Sequence, residues 1–484
     1  MIQPTLSQAQ EYAKEYRVIP VWRSLPTGPR DPLDTFLALK HLSRQCFLLE
    51  SAQGGVHGRY TFLGYDPKLE ITCQNGEMTI KNGTGITMQT DGPGTHIRRI
   101  LEDNRAPRLP GLPAFSGGLV GYFAYDYVKY GEPRLSLDAQ DQEGFRDVDL
   151  MLFDKVIAFD RLEDKIILIV NIRAEAAQEN YHRAVQELET MRRIVEEGER
   201  ARPAALRLTS DFRPLFGKAR YCEMVEAAKR HIFEGDIFQV VLSNRLEAGA
   251  EGSLFETYRI LRASNPSPYM FYFSSDDIEI AGAAPETLVK CENGVVSTFP
   301  LAGTRPRGGT PEEDAALEAE LLADEKELAE HNMLVDLGRN DIGRVSEFGS
   351  VRVEEYMQIL RFSHVMHIGS TVTGRLRADC SALDAVSALL PAGTLSGAPK
   401  LRACEIINAL ENNKRGIYGG AIGYLSFTGD LDTCIAIRIA FKKNGKVFVR
   451  SGAGIVADSV PEREFEECEN KLRAVINALK EASK

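Results

Sequence analysis

The residues best suited to chemistry lie in the second half of the chain. Glu286 follows Ala284 and Pro285 at the mouth of a strand-like segment, and a carboxyl group there suits general acid catalysis if burial raises its pKa. Solvated glutamates at strand ends are far commoner, so the pattern alone leaves both interpretations open. Glu327 and Glu330 lie three residues apart on a predicted helix and share one face, which is usually solvated.

Residues 300–308 form a candidate anion site after a β-branched, strand-like segment. Gly303 permits close approach of the backbone to a ligand, and Thr304 offers a hydroxyl group. Arg305 and Arg307 supply planar donors that suit carboxylates. An exposed turn with two solvated arginines explains the segment equally well.

Polar residues interrupt two apolar segments of the second half. Gln239 lies in a predicted strand over residues 237–242, where its amide must be hydrogen-bonded or face a site; a satisfied core glutamine is the ordinary explanation. Arg438 lies inside a predicted strand over residues 435–439. Because an unpaired buried guanidinium is costly, this position predicts an anionic partner.

Two further pairs give weaker signals. His364 and His367 point to opposite sides of an extended segment, and no second ligand set accompanies them, which makes zinc a minor alternative. Glu50 and Ser51 end a strand before a glycine-rich turn. They could hold a ligand's ammonium group, although a solvated hairpin end fits the pattern better.

The composition limits the class of protein. A chain of 484 residues that is 43% hydrophobic can bury a large core and form two domains. Its net charge of −11, without a sustained basic stripe, argues against nucleic acid binding. No apolar run is long enough to span a bilayer, and the eight cysteines lack metal-site spacing. These features predict reduced thiols, no membrane contact and a cytoplasmic location.

The elements that must position these residues can be partly predicted. Apolar residues at helical spacing predict helices over residues 174–198, 221–233, 313–337, 401–410 and 462–479. Residues 200–214 contain Pro203 and Pro214 without a clear period, so we place a domain boundary there, between residues 1–205 and 206–484. The alternation of strands and helices alone does not exclude a parallel sheet.

Taken together, the motifs resemble those of the chorismate-utilising enzymes. The matching segments cover both halves of the chain in the order typical of these enzymes: residues 235–242, 300–308, 327–331, 364–367, 391–400, 450–455 and 467–471. Among these enzymes the chain is most similar to the large subunits of anthranilate synthases. The resemblance implies an α/β (α+β) fold with large, mainly antiparallel sheets packed together and helices outside.

The resemblance also implies a set of site residues. Glu286 matches the general acid, His367 lies near the leaving C4 hydroxyl group, and Glu330 and Glu467 match the ligands of Mg²⁺. Arg438 and Tyr418 are expected at the enolpyruvyl carboxylate of chorismate. The remaining positions expected in the pocket are Gln239, Gly303, Thr304, Thr394, Gly452, Ala453, Gly454 and Lys471.

Two positions distinguish the relatives. Isochorismate-forming and salicylate-forming enzymes carry a lysine base where this chain has Gln239, so ammonia rather than water is the expected nucleophile. Aminodeoxychorismate synthases usually carry a nucleophilic lysine where this chain has Ala302. The expected reaction is therefore direct addition of ammonia to chorismate, followed by release of pyruvate. An aminodeoxychorismate synthase and a non-catalytic regulatory subunit remain alternatives.

The resemblance implies a partner and a regulator. The chain contains no Gly-x-Cys-x-Gly nucleophile elbow, so ammonia is expected from a separate glutamine amidotransferase subunit in a hetero-oligomer such as a heterotetramer. Tryptophan is expected to inhibit, as it does within tryptophan biosynthesis. Its predicted site, to which the N-terminal domain contributes, comprises Glu50, Ser51, Arg59, Asn265, Pro266, Tyr269 and Met270.

Overall fold

The computed structural model describes residues 2–52, 58–361 and 365–484. The strands in these residues are β1 Ile2–Gln3, β2 Val18–Pro26, β3 Cys46–Glu50, β4 Tyr60–Tyr65, β5 Leu69–Gln74, β6 Glu77–Asn82, β7 Thr84–Gln89, β8 Gly118–Phe123, β9 Val148–Phe153, β10 Lys155–Asp160, β11 Lys165–Arg173, β12 Arg207–Leu208, β13 Arg213–Pro214, β14 Gln239–Glu251, β15 Tyr269–Ser274, β16 Glu279–Ala284, β17 Thr287–Glu292, β18 Val295–Thr298, β19 Leu301–Pro306, β20 Arg352–Arg361, β21 Val365–Arg375, β22 Gly397–Ala398, β23 Ala421–Ser426, β24 Leu431–Ile435, β25 Ile439–Lys443 and β26 Lys446–Ile455.

The α-helices of the described residues are α1 Leu6–Tyr12, α2 Pro32–Leu42, α3 Pro93–Glu102, α4 Val128–Gly131, α5 Ala177–Glu197, α6 Lys218–Phe233, α7 Phe255–Ser264, α8 Pro311–Ala323, α9 Glu325–Gly343, α10 Ala382–Leu389, α11 Lys400–Glu411 and α12 Pro461–Ala482. Two short 3₁₀ helices cover Tyr125–Tyr127 and Gly393–Leu395. None of these helices is long and apolar enough to cross a membrane.

The strands form two large sheets whose neighbouring strands are antiparallel. Sheet 1 has 14 strands, in the order β1-β2-β11-β10-β4-β3-β15-β16-β25-β26-β14-β12, with β13 and β22 also paired to β14. Sheet 2 has 12 strands, in the order β19-β21-β18-β17-β24-β23-β8-β9-β5-β6-β7, with β20 paired to β21. The predicted antiparallel architecture is confirmed.

An aromatic core lies between the two sheets. Phe47 of sheet 1 meets Phe153 of sheet 2 edge-on, with ring centroids 4.7 Å apart. Phe115 and Tyr424 approach to 4.5 Å in the same layer. Edge-to-face aromatic contacts add favourable electrostatics to the burial of apolar surface, so this layer holds the sheets together.

Helices cover the outer face of each sheet. On α5, Ala184, Leu188, Met191 and Val195 recur at helical spacing and pack on sheet 1, while α10 supplies apolar residues to the outer core of sheet 2. Strands such as β11 are therefore buried on both faces, and the sequence of β11 is apolar from residue 166 to residue 170. Continuous apolar runs are also typical of parallel strands, so this pattern does not distinguish the two kinds of sheet.

The helix predicted over residues 313–337 is wrong in two details. Residues 313–337 form parts of two helices because the Asp324 side chain accepts hydrogen bonds from the backbone N–H groups of Lys326 and Glu327 and so caps α9. The second helix continues beyond Gly338, where the absence of a side chain permits close packing on Thr298.

Both halves of the sequence contribute to both sheets. In sheet 1, β3 pairs with β15, and Glu50 stands opposite Met270. In sheet 2, β8 of the first half pairs with β23 of the second. A division at residue 205 therefore does not divide the sheets, since each sheet contains strands from both sides of it. The two-domain assignment stays a prediction.

Candidate active site

Glu286 lies in the two-residue link between β16 and β17 and contacts Thr394 of the 3₁₀ helix that precedes α11. Thr394 Oγ1 donates a hydrogen bond to Glu286 Oε1 at 3.1 Å. Burial raises the pKa of Glu286 to about 7, although the Thr394 hydrogen bond and the charges of Lys471 and Arg438 oppose the increase. The carboxyl group can therefore be protonated near neutral pH, as a general acid must be.

His367 lies on β21, opposite Thr304 of β19. Its Nδ1 is 3.0 Å from the Gly303 carbonyl oxygen and 3.0 Å from Thr304 Oγ1. Because a carbonyl oxygen only accepts, Nδ1 carries the proton, and Nε2 is the acceptor of the neutral ring. Burial lowers the pKa of His367, which favours this neutral form. His364, the other histidine of the minor zinc alternative, lies outside the described residues.

The turn that presents the Gly303 carbonyl depends on glycine. The register of β19 on β21 shifts between Ala302 and Thr304, and Gly303 has φ of +67°. A residue with a Cβ atom is strained in this left-handed conformation. The backbone of Gly303 therefore closely approaches another residue of the protein, because its carbonyl oxygen holds the His367 ring.

Arg438 does not lie inside a strand, so that prediction is wrong. It lies in the link between β24 and β25 with φ of +52°, a conformation that is rare outside glycine and is found at functional sites. Burial lowers the pKa of Arg438, and the negative charge of Glu286 opposes this. A desolvated guanidinium of this kind favours an anionic partner, as predicted.

Gly452 and Gly454 form a narrow strip on β26 beside β14. A Cβ atom on Gly452 would lie 3.1 Å from the Tyr418 hydroxyl oxygen, and one on Gly454 would lie 2.7 Å from Gln239 Nε2. Gln239 Oε1 is buried and has no hydrogen-bond partner among the described residues. The Ala453 side chain packs in the core beneath α6 and α11, so only its backbone can face the strip.

Lys471 connects this strip to the carboxylates of α12. Its ammonium group donates to the Gly452 carbonyl oxygen at 3.1 Å and pairs with Glu467 Oε1 at 2.7 Å. The same charge is felt at Glu286, Glu330 and Glu464, where it opposes an increase in pKa. Lys471 thus contacts the glycine strip and Glu467, and its charge reaches the predicted acid Glu286 and the predicted metal ligand Glu330.

The carboxylates around Lys471 repel one another. The pKa of Glu330 is raised by burial and then by Glu327, and that of Glu464 by burial and then by Glu467. A divalent cation relieves such repulsion, and carboxylate oxygens are the ligands that Mg²⁺ prefers. The oxygen donors of Glu330 and Glu467 are of the type that suits a magnesium ion, and these two residues stay the predicted ligands.

The two arginines of residues 300–308 pair with carboxylates of the same chain. Arg305 pairs with Glu320 and Asp324, each at 2.9 Å, and Arg307 Nε pairs with Asp314 Oδ2 at 2.9 Å. Their charges are matched by the carboxylates of α8 and of the residue that caps α9. These internal pairs favour neither a ligand-binding role for the two guanidinium groups nor the alternative of solvated arginines, and their role as anion donors stays a prediction.

The predicted tryptophan site centres on Glu50. Its buried carboxylate lies on β3, the strand of the first half of the chain that pairs with β15 of the second half. Glu50 binds Arg161 Nη2 at 2.8 Å, Arg262 Nε at 2.6 Å and the Tyr258 hydroxyl group. Arg161 Nη1 also donates to the Ser51 carbonyl oxygen at 2.8 Å. The carboxylate is thus already matched by two cations, neither of which the sequence analysis identified.

The other predicted regulatory residues are more dispersed. Arg59 pairs with Asp160 at 2.7 Å and not with Glu50. The Tyr269 hydroxyl donates to Asp432 Oδ1 at 2.8 Å and thereby links the two sheets. Asn265 Nδ2 is buried without a partner among the described residues. Pro266 and Met270 lie on the same segment leading into and along β15.

Sequence reasoning missed the buried network behind the site. Glu411 accepts from Arg415 at 2.6 Å, from Arg450 at 2.7 Å and from Ser243 Oγ at 2.9 Å. Arg415 also donates to the Leu395 carbonyl oxygen at 2.6 Å, next to Thr394. The one available signal was the presence of charged residues within apolar segments, which occurs at Arg450.

Known proteins resemble this chain over most of its length. Residues 44–477 match the model of the family described as chorismate binding enzyme. Anthranilate synthase component 1 from Acetivibrio thermocellus is 46% identical over 496 residues, which cover 100% of this chain and 99% of the relative. The resemblance inferred from the motifs is confirmed.

Solved structures agree with the fold. The crystal structure of anthranilate synthase component I from Streptococcus pneumoniae matches with a TM-score of 0.75 and 40% identity, covering 87% of this chain and 93% of that one. The menaquinone-specific isochorismate synthase from Escherichia coli matches with a TM-score of 0.71 and 20% identity over 98% of this chain and all of its own, a likeness of fold alone. The chain therefore belongs to the chorismate binding enzyme family and, within it, to the anthranilate synthase component 1 group.

Proposed function

We propose that this chain converts chorismate and ammonia into anthranilate, pyruvate and water. The observation that carries the proposal is Glu286, whose carboxyl group has a pKa of about 7 and faces the Thr394 hydroxyl, with the positive charges of Arg438 and Lys471 nearby. A proton donor between cationic side chains suits a dianionic substrate that must lose a hydroxyl group. Similarity to anthranilate synthase component 1 over the whole chain supports the same reaction.

The cationic side chains and the backbone groups would contact different parts of the substrate. We assign the enolpyruvyl carboxylate to Arg438 and the Tyr418 hydroxyl, together with the backbone of residues 452–454. An anion there would compensate the guanidinium that burial disfavours. Lys471 faces the ring carboxylate from the other side. Gly303, Thr304 and Thr394 line the pocket around the ring.

Glu330 and Glu467 would hold a magnesium ion at the ring carboxylate. The hard oxygen donors of the two carboxylates support this assignment. Burial and the charge of Glu327 raise the pKa of Glu330, and a bound cation would offset this cost. When bound, the ion would neutralise the ring carboxylate and increase the acidity of the ring proton that is lost later. Full magnesium-dependent activity in Glu330→Ala would refute this assignment.

Glu286 and His367 act on the leaving group. As ammonia adds at C2 of the ring, the protonated Glu286 gives its proton to the C4 hydroxyl, which departs as water. His367, held neutral with its proton on Nδ1, orients that hydroxyl through Nε2. Loss of the C2 proton and cleavage of the enolpyruvyl C–O bond then release pyruvate and leave the aromatic ring.

Two side chains of the site neither supply nor activate a nucleophile other than ammonia. The Gln239 amide is not basic and cannot activate water, although its buried Oε1 can accept a hydrogen bond from ammonia. Ala302 has no nucleophilic atom and is almost buried on β19, at 9% exposure. Ammonia is therefore the nucleophile that adds directly to the ring.

Ammonia would come from a separate glutamine amidotransferase subunit. All eight cysteines are free thiols, and six of them are buried, which does not suit a glutaminase nucleophile. We propose a hetero-oligomer of the two subunits, such as a heterotetramer. Residues 206–484 would form the chorismate-binding domain, and residues 1–205 would contribute to the regulatory site.

Tryptophan would inhibit by binding beside Glu50 and Ser51, next to residues 265–270. The contact of Glu50 on β3 with Arg262 on α7 supports a regulatory role, because it joins the two proposed domains. An ammonium group that competes for this carboxylate would loosen that connection. Ser51→Phe should abolish tryptophan inhibition while basal activity remains, and Ser7→Phe, an exposed position on α1, is the matched control. Unchanged sensitivity in Ser51→Phe would contradict the assignment.

The activity test uses the isolated chain with chorismate, Mg²⁺ and excess ammonium at mildly alkaline pH. Anthranilate fluorescence and pyruvate should appear together and in equal amounts. Loss of chorismate without pyruvate would instead indicate an aminodeoxychorismate synthase. No loss of chorismate would indicate a non-catalytic subunit.

A further inference from the structure

A second cavity, of about 270 Å³, lies where the ends of β2, β5, β9 and β11 meet the residues that follow α3. It shares no lining residue with the candidate active site or the predicted tryptophan site. Its walls combine apolar side chains, including Leu69, Leu152 and Phe427, with charged and amide groups. The volume is slightly below that of most drug-sized ligand sites, so the cavity suits a small molecule.

Two buried oxygen atoms of residues that line this cavity have no donor among the described residues. Asn171 is 7% exposed, and its Nδ2 donates to the Ser116 carbonyl oxygen at 2.7 Å and the Asp154 carbonyl oxygen at 3.0 Å. These bonds fix the orientation of the amide and leave Oδ1 without a partner among the described residues. Asp154 Oδ1 is likewise buried and unpartnered within the described ranges. Both residues line the cavity, so these acceptors are suited to a ligand with several N–H donors.

Positive groups complete the lining. Lys68 Nζ is 3.5 Å from Asp154 Oδ2, and the Lys68 side chain is 58% exposed. Arg173 is exposed and lies two residues after Asn171 on β11, so both side chains emerge from the same face of sheet 1. The acceptors are thus enclosed, whereas the two cations are accessible to solvent.

This arrangement is complementary to a zwitterion. We propose that the cavity binds a small apolar α-amino acid, with its ammonium group on Asp154 and Asn171, its carboxylate toward Lys68 and Arg173, and its side chain against the apolar wall. An ammonium group offers three donors to the two unpartnered oxygens. The site is independent of the proposed catalytic activity and separate from the Glu50 region.

The test is calorimetric titration of the full chain with L-leucine. We expect saturable binding of one L-leucine per chain, and no binding of 4-methylpentanoate, which lacks the ammonium group. Asp154→Asn should weaken L-leucine binding about tenfold or more, because a charge-assisted hydrogen bond is replaced by a neutral contact. Asp276→Asn, which removes an exposed carboxylate outside the cavity, should bind like the parent chain.

Two further variants locate the binding. Lys68→Met should weaken L-leucine but leave L-leucinamide, which has no carboxylate, unaffected. Glu50→Gln should bind L-leucine normally. Absence of saturable binding at millimolar L-leucine, equal binding by Asp154→Asn, or loss of binding in Glu50→Gln alone would each overturn the proposal. Ammonia-dependent turnover of chorismate in Asp154→Asn, at the parent rate, verifies that the variant is folded.

Discussion

Glu411 and Glu286 are both removed from water, yet their pKa values shift in opposite directions. Burial alone would raise the pKa of Glu411, but the adjacent guanidinium groups of Arg415 and Arg450 outweigh it and lower the pKa. Glu286 has one hydroxyl partner, and burial raises its pKa to about 7. The number of cationic partners, rather than burial, separates a carboxylate that stabilises structure from one that can exchange a proton.

The two regions are physically connected. Arg415 donates to the Val241 carbonyl oxygen at 2.7 Å and to that of Leu395 at 2.6 Å. The first contact holds the strand that carries Gln239, and the second holds the 3₁₀ helix that carries Thr394. A fully paired network therefore supports the incompletely paired site in front of it.

Replacing Glu286 should have the largest effect on activity. Glu286→Gln keeps the shape of the side chain but removes the proton donor, so kcat should fall by about 10²–10⁴-fold. The thermal unfolding midpoint should change little, because no ion pair is broken. Anthranilate fluorescence at saturating ammonium and thermal denaturation measure the two effects. Activity within threefold of the parent would exclude this residue as the acid.

Replacing Glu411 should have the opposite pattern, with the larger effect on stability. Glu411→Gln leaves Arg415 and Arg450 buried without their countercharge, which should lower the free energy of unfolding by about 3–5 kcal/mol. Urea denaturation followed by fluorescence measures the loss. Glu411→Asp, which retains the charge, should lose less. Equal stability of Glu411→Gln and the parent would show that the network does not support the site.

The pH dependence should identify the Glu286 proton. A carboxyl group with a pKa of about 7 is a proton donor below that pH and loses this role as the pH rises through it. At constant free ammonia, kcat/KM for chorismate should therefore fall above about pH 7. The Thr394 hydrogen bond lowers this pKa, so Thr394→Val should move the falling limb to higher pH.

Thr394→Ser provides the control for this shift, since it retains the hydroxyl group. Its falling limb should coincide with that of the parent enzyme. An unchanged limb in Thr394→Val would show that another group controls the profile. The profile is recorded with the ammonium concentration adjusted at each pH, because free ammonia also increases with pH.

The sequence predicted the helices and the resemblance to a family better than the local conformation of the site. The helix over residues 174–198 and the final helix agree with α5 and α12 to within a few residues, because their apolar spacing is regular. Arg438 was placed in a strand because its neighbours are apolar. Its left-handed backbone depends on tertiary contacts that no local pattern encodes.

The sequence also could not predict which residues pair when they lie far apart along the chain. Arg305 and Arg307 suited an anion site by residue type, but the acidic residues of α8 and the Asp324 cap satisfy them. Glu50 was identified through resemblance, whereas Arg161 and Arg262, which hold it, lie 111 and 212 residues away in sequence. Spacing cannot predict such contacts, because the sheet topology creates them.

The smallest expected effect comes from a pair with the same spacing as Glu411 and Arg415. Glu179 and Arg183 are also four residues apart, but their side chains are 64% and 71% exposed on α5. Water already solvates both charges, so Glu179→Gln should change the free energy of unfolding by less than about 0.5 kcal/mol. Urea denaturation under the conditions used for Glu411→Gln gives the comparison. A loss similar to that of Glu411→Gln would mean that charge removal alone, and not burial of the partners, determines the cost.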